Sequence, residues 1–170
     1  MIRAAASTQT LCGSRILQMS RFSVQTEALL KKSGWFEGRS VPDLVASWSV
    51  ELESEGGFQS SPVARDVLTE FGGLHIQSEG PGEACARSDL NIDPSLVAGE
   101  EDRFRSFDCF NGKRVFPIGE AIVGHVFAAI DESGTVYLVI EEVRHVADSF
   151  EAALEHLLRG LGSRLIESAA

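Results

Sequence analysis

The chain has 170 residues and a mass of 18.4 kDa, a length that favours one domain over two. Its 44% hydrophobic residues suffice for one packed core and exclude a disordered chain. Its 25 acidic and 15 basic residues give a formal net charge of −10. An acidic field repels phosphate backbones, so we expect no nucleic-acid partner and favour a basic protein partner. No stretch approaches the roughly 18 apolar residues of a membrane-spanning helix, so we expect a soluble protein.

The three cysteines, Cys12, Cys85 and Cys109, form no CxxC pair and no metal-like spacing. An odd number of cysteines is also unusual for a disulfide framework. We therefore expect reduced thiols and a cytoplasmic protein. No phosphate-binding loop, dinucleotide-binding fingerprint or GxSxG motif occurs, so no cofactor is expected.

The first 22 residues differ from the rest because they contain three arginines and no acidic residue. Polar residues interrupt the apolar stretch that a secretory signal requires. One interpretation is a transit peptide, and another is a flexible extension at 1–18 that precedes a start at Met19. We place one domain at residues 23–162, between the 1–22 extension and a C-terminal tail at 163–170.

Three helices are predicted in the first half of the chain. Ser23 caps the first, which ends at Gly34; Pro42 opens the second; and Ser61 caps the third, which ends at residues 72–73. The apolar residues expected to face the core are Val24, Ala28 and Leu29 in the first helix, Val41, Leu44, Val45, Trp48 and Leu52 in the second, and Val63, Ala64, Val67, Leu68 and Phe71 in the third.

The second half has mainly extended periodicity. Strands are predicted at residues 74–77, 85–92, 114–116, 122–130 and 135–140. A helix at 93–107 is weakened by Gly99, and residues 131–134 form the turn of a β-hairpin. Asp148 and Glu151 resemble a capping box for a last helix. Its inward stripe comprises Phe150, Ala153, Leu154, Leu157, Leu158 and Leu161. This order of elements predicts an α+β domain whose central, mainly antiparallel sheet is flanked by helices.

No motif in the sequence predicts a catalytic or metal site. The four histidines show no HExxH spacing, and His125, placed on a strand face beside Phe127, is more typical of a structural residue than of a metal ligand. Trp35 and Trp48 are expected to be structural. Acidic residues occur in clusters, and we predict that they form an anionic docking surface. The predicted contact residues are Glu100, Glu101, Asp102, Asp131, Glu132, Glu141 and Glu142. Turn chemistry is an alternative explanation for Asp131.

Six segments, in order, resemble the SUKH superfamily of immunity proteins, specifically its third subfamily from bacterial polymorphic toxin systems. The segments are SVQTEALLKKSGWFEGRSV (23–41), VLTEFGGLHI (67–76), NIDPSLVAGEEDRF (91–104), RVFPIGEA (114–121), AIDESGTVYLV (129–139) and SFEAALEHLLRG (149–160). The resemblance spans about residues 23–160.

The resemblance implies an α+β SUKH fold without enzymatic activity. It also implies a protein that binds and neutralises a cognate toxin, often a nuclease or deaminase, in the cell that produces it. We therefore expect a cytoplasmic immunity protein that is a monomer alone and forms a 1:1 complex with a toxin whose surface is basic. The alternatives are a non-catalytic scaffold that binds several cellular partners and a hydrolase with a composite histidine and carboxylate site.

Overall fold

Five α-helices, two short 3-10 helices and one antiparallel sheet make up the computed structural model, which describes residues 20–55 and 57–168. The helices are α1 (Val24–Lys32), α2 (Pro42–Glu55), α3 (Pro62–Phe71), α4 (Glu101–Arg105) and α5 (Phe150–Arg159), with 3-10 helices at Pro94–Val97 and Asp108–Phe110. The strands are β1 (His75–Ile76), β2 (Leu90–Asn91), β3 (Val115–Ala121), β4 (Val126–Asp131), β5 (Val136–Val139), β6 (Glu142–Ala147) and β7 (Arg164–Ser168).

The seven strands form a meander in which each strand pairs antiparallel with the next along the chain. This architecture confirms the predicted α+β fold with an antiparallel sheet and flanking helices. Within the part of the chain that the structure describes, no helix has the length and apolar character to cross a membrane. Both interpretations of residues 1–18, and Cys12, lie outside the described residues.

Local signals place the first three helices as predicted. The Ser23 and Ser61 hydroxyls accept hydrogen bonds from Thr26 N and Ala64 N, which satisfies one free N–H group at each helix start. The predicted inward face of α1 is wrong at Val24 and Ala28, which are exposed, whereas Leu29 is partly buried against the core. Thr26 and Leu30 are its buried residues, whereas Val24 is 87% exposed, because α1 packs against α5 and β1 rather than along its most apolar stripe.

In α2 the predicted stripe is confirmed at Val45, Trp48 and Leu52, which are all buried. Leu44, predicted to be inward, is partly exposed. Trp48 lies close to Gly72, where a Cβ atom would be 2.7 Å from the indole ring. Trp35 is also buried, and its ring stacks on Phe71. Both tryptophans therefore have structural roles.

The helix predicted at residues 93–107 is divided into two. The 3-10 helix Pro94–Val97 begins after Asp93, and α4 begins only at Glu101. Gly99 lies between them with a φ of +87°, a conformation that glycine adopts readily and that a right-handed helix does not contain. Helix α4 is therefore a separate element from the 3-10 helix.

The strand predicted at residues 122–130 is wrong in its first part. Residues 122–125 form the turn between β3 and β4, and β3 extends through Pro117 to Ala121 with a β-bulge between Pro117 and Gly119. His125 is thus an exposed turn residue and does not share a strand face with Phe127. Strand β2 covers only two residues of the predicted 85–92.

Strands β6 and β7 were not predicted from the sequence. Residues 164–168, assigned to a C-terminal tail in the sequence analysis, form β7 and pair with β6. The sheet therefore continues past residue 162. Strand β5 lies in the interior of the sheet, between β4 and β6, and all its residues are buried, so its two faces are both covered, as predicted.

Helix α5 closes the core with the predicted stripe. Phe150 packs on Phe71, and the remaining stripe residues up to Leu158 are buried. The cap is Ser149 rather than Asp148, since the Ser149 hydroxyl accepts a hydrogen bond from Ala152 N. Gly160 ends the helix in the left-handed conformation.

Candidate partner-binding surface

Turns of the meander place the predicted acidic residues at two ends of the sheet. In an antiparallel meander alternate turns share an end. The β3–β4 turn (residues 122–125) and the β5–β6 turn (140–141) therefore lie at one end, here called the turn end. The β4–β5 turn (131–134) lies at the opposite end, about 13 Å away along the four residues of β5 at 3.3 Å per residue.

Helix α4 brings Glu100 to the turn end through Arg103. The Arg103 guanidinium forms an ion pair with Glu100 at 2.8 Å and donates a hydrogen bond to the carbonyl of Ile140, in the β5–β6 turn, at 3.3 Å. It also lies over the ring of Phe127, 5.8 Å from the centroid. Arg103 therefore fixes the start of α4 beside the β5–β6 turn.

The five acidic residues of this region differ in how far neighbouring cations neutralise them. Glu142 is paired with Arg144 at 2.8 Å, and Asp102 forms a long, fully exposed pair with Arg105. Glu101 accepts a hydrogen bond from the backbone N–H of Gly99. Glu141 is exposed and has no ion pair within residues 20–55 and 57–168. Glu141 is thus the acid at the turn end most available to a basic partner.

Asp131 does not belong to an exposed surface, contrary to the sequence prediction. Its side chain is 4% exposed. The carboxylate accepts hydrogen bonds from Ser133 N, Ser133 Oγ, Thr135 N and Tyr137 OH at 2.9, 2.6, 3.1 and 2.9 Å. Burial by itself raises the pKa of Asp131, but the hydrogen bonds from Ser133, Tyr137 and Thr135 outweigh it and hold the pKa below the usual range. Asp131 stabilises the hairpin turn through these hydrogen bonds, as the alternative interpretation from turn chemistry predicted.

Glu132 is exposed but lies at the end of the sheet opposite Glu141. It forms an ion pair with Arg114 at 2.8 Å, and both side chains are about half exposed. The seven predicted contact residues therefore do not form one surface. Glu132 is separate and Asp131 is buried. Three acids lie near the turn end (Glu100, Glu141 and Glu142), and two lie on α4 towards Arg105 (Glu101 and Asp102).

A further cluster at the turn end was missed by the sequence analysis. Ile122 and Val123 form the tip of the β3–β4 turn, and their side chains are 42% and 81% exposed. Both have positive φ values, 54° and 55°, which are strained for β-branched residues. Asp89 accepts a hydrogen bond from Val123 N at 2.7 Å. Ile122 and Val123 by themselves indicate a strand. The local signal that marks the turn is Gly124, whose φ is +74°.

Carboxylates flank this apolar tip. Glu120 precedes it on β3, and burial, together with the negative charge of Asp93, raises the pKa of Glu120. Asp89 is shared between Val123 N and His75, whose Nε2 lies 3.4 Å from the carboxylate. The turn end thus presents an exposed valine surrounded by acids, which is the composition expected to meet an apolar and basic surface.

The histidines do not converge. Each of three has a separate partner: His75 with Asp89, His145 with Asp148 at 2.7 Å, and His156 with the carbonyl of Gly162. Within the described ranges 20–55 and 57–168, no group of three or more histidine, cysteine or acidic side chains is placed to hold a metal ion.

The comparison with protein families decides the family of the chain. The family model described as SUKH-3 immunity protein matches residues 22–160, a span that runs from buried Phe22 to the glycine that ends α5. The chain belongs to the SUKH-3 immunity protein family. No curated protein and no solved structure matches the chain. Family membership supports an immunity function and implies a toxin as the partner of this SUKH-3 domain.

Proposed function

We propose that this SUKH-3 domain binds a cognate toxin in the cytoplasm of the producing cell and neutralises it by covering its active face, without catalysis. The observation that carries the proposal is the family match over residues 22–160. The toxin that fits best is a nuclease or deaminase, because an enzyme that acts on nucleic acid needs a basic substrate-binding surface, and this chain carries a net charge of −10.

The turn end of the sheet is the proposed contact surface. Val123 supplies an exposed apolar anchor at the tip of the β3–β4 hairpin. Glu141 supplies an exposed carboxylate that no cation of the described residues neutralises. Two strand spacings, about 10 Å, separate the two turns. A surface of this width fits within a standard protein interface of about 800 Å² on each partner.

The experiment tests the products of the adjacent genes for toxicity and for neutralisation by this chain, measured as rescue of growth and as Kd by calorimetry with the purified pair. We expect Glu141→Lys to raise Kd about 10-fold, because a rim charge that faces a basic partner is reversed. The matched control is Glu37→Lys, an exposed carboxylate in the loop between α1 and α2 that Arg39 ties to α3. It makes the same change in net charge at another place.

A second variant separates binding from folding. Val123→Gly removes the apolar anchor and also relieves the positive φ, so it is expected to stabilise the free domain while weakening the complex about 10-fold. Equal effects of Glu141→Lys and Glu37→Lys would show that only net charge matters and would reject the turn end. A pulldown that recovers several housekeeping proteins and no lethal partner would reject the immunity function in favour of a scaffold.

A further inference from the structure

A second candidate surface, which carries cations as well as acids, lies on the same domain at the end of the sheet where β3 begins. It is a cleft of about 320 Å³ between the loop after α2, helix α4 and the segment that leads into β3. Four phenylalanines line it: Phe58, Phe104, Phe107 and Phe110. Phe104 contacts both Phe58 and Phe110 through ring pairs with centroids 5.2 and 6.2 Å apart. The interior of the cleft is therefore aromatic and preformed.

Cations form the rim of this cleft in a chain that is otherwise acidic. Arg105, Lys113 and Arg114 line it, against Glu101 as the acidic lining residue. Lys113 is exposed, and its ammonium group lies over the ring of Tyr137 at 5.8 Å. Within residues 20–55 and 57–168 no carboxylate pairs with Lys113. Lys113 is therefore a rim cation whose charge no carboxylate of the described residues neutralises.

The two arginines of the rim already bind carboxylates of the domain itself. Arg105 pairs with Asp102 at 3.7 Å, and Arg114 pairs with Glu132 at 2.8 Å. All four side chains are at least 45% exposed, so these pairs are weak and exchangeable. A carboxylate of a ligand can replace Asp102 on Arg105, or Glu132 on Arg114. On Lys113 a ligand carboxylate displaces no ion-pair partner of the described residues.

We propose that this cleft binds an acidic peptide segment of a protein partner, with an apolar side chain against the phenylalanines and flanking carboxylates on Arg105, Lys113 and Arg114. Charge complementarity selects the carboxylates, since arginine and lysine bind them through charge-assisted hydrogen bonds. The net charge of −10 repels an extended polyanion such as a nucleic acid, but a short segment feels mainly the local rim. Helix α4 joins this cleft to the turn end, since Glu101 lines the cleft and Asp102 pairs with Arg105 on its rim. Peptide binding in the cleft does not depend on the toxin.

The test uses the isolated ¹⁵N-labelled protein and the peptide acetyl-Asp-Phe-Glu amide, followed by two-dimensional NMR. We expect saturable shifts of the backbone amides of residues 111–115 and of Arg105, and a Kd that rises with salt concentration. The uncharged acetyl-Asn-Phe-Gln amide is expected to bind about 5-fold more weakly, and acetyl-Asp-Ala-Glu amide also more weakly, since they lack the carboxylates and the ring respectively.

Variants locate the site. Lys113→Gln and Arg105→Gln are each expected to raise the Kd of the peptide about 3-fold or more. Lys32→Gln, which removes an exposed cation at the end of α1, is the matched control and should leave the Kd unchanged. Both rim positions are exposed, so the variants should fold, and their NMR spectra will show it.

Three outcomes would overturn the proposal. They are the absence of shifts at residues 111–115, equal affinity for the charged and uncharged peptides, and binding of phenyl phosphate without binding of the acidic peptide. The last outcome would identify a site for a small anion instead. Because the toxin is not in this experiment, failure here leaves the immunity function untouched, and failure of toxin neutralisation leaves the peptide result untouched.

Discussion

The buried carboxylate of Asp131 gives the sharpest prediction, because sequence and structure assign it different roles. In Asp131→Ala four hydrogen bonds are lost. Ser133 and Thr135 lie near solvent and regain partners from water. Tyr137, a residue that is only 4% exposed, loses the hydrogen bond that its hydroxyl donates to the carboxylate. An unsatisfied buried group costs about 1 to 3 kcal/mol, and hydrogen bonds to a charged group contribute about 1.5 to 3 kcal/mol. We therefore expect a loss of about 3 kcal/mol in the free energy of unfolding.

The conservative variant separates the hydrogen bonds from the charge. In Asp131→Asn the Oδ1 atom can still accept the three hydrogen bonds from Ser133 and Thr135, so the expected loss is about 1 kcal/mol. The neighbouring acid in the same turn is the control: Glu132→Gln alters an exposed ion pair and should change the free energy of unfolding by about 0.5 kcal/mol or less.

The measurement is urea unfolding followed by the fluorescence of Trp35 and Trp48, both of which are buried. A loss of about 3 kcal/mol corresponds to a fall in Tm of about 6 to 12 °C for a domain of this size. The result that refutes the reasoning is an Asp131→Ala protein as stable as the wild type, or a Glu132→Gln protein as destabilised as Asp131→Asn.

The sign of the pH dependence follows from the lowered pKa of Asp131. A carboxylate whose pKa is depressed by folding stabilises the folded state above the pKa of the unfolded chain, here the ordinary value of 3.8. That contribution is lost as the pH falls below 3.8 towards the folded pKa. The difference in stability between wild type and Asp131→Asn should therefore shrink in acid and stay constant near neutral pH.

Two further predictions concern a glycine and a thiol. A Cβ atom in Gly119→Ala would overlap the carbonyl oxygen of Asn91, and the φ of +144° disfavours any side chain. We therefore expect the free energy of unfolding, measured in urea, to fall by about 3 kcal/mol or more. A variant as stable as the wild type would contradict the β2–β3 register. Burial and the neighbouring Glu167 raise the pKa of the Cys109 thiol to about 11. Iodoacetamide at pH 8 should therefore modify exposed Cys85 much faster than Cys109, which mass spectrometry measures. Equal rates would contradict the buried environment of Cys109.

The sequence predicted the helices and strands that are specified by residues close together in the chain. Helices α2, α3 and α5 were found because their apolar residues recur at helical spacing and capping residues mark their ends. The hairpin of β4 and β5 was found because a turn of Asp, Glu, Ser and Gly separates two apolar runs. The order of these elements and six quoted segments were sufficient to indicate the SUKH family, which the family match confirms.

Other features depend on residues that are distant in sequence. Strands β6 and β7 carry polar residues such as Glu142 and Arg164, so they become strands only because β5 offers a pairing edge to β6, and β6 offers one to β7. The face of α1 was wrong since packing against α5 and β1 decided it. Ile122 and Val123 have strand propensity, yet the register of β3 on β4 places them in a turn, for which Gly124 was the local signal.

The sequence by itself determined the family, the α+β class, the acidity of the chain and the positions of its capped helices, because each is a property of composition or of residues a few positions apart. Only the tertiary structure decided which acids reach solvent. It buried Asp131, separated Glu132 from Glu141 by the length of a strand, and gathered Arg105, Lys113 and Arg114 around a cleft. The charge of a side chain follows from its residue type. Its exposure and its neighbours depend on how distant segments of the chain pack, and a local sequence pattern does not contain that information.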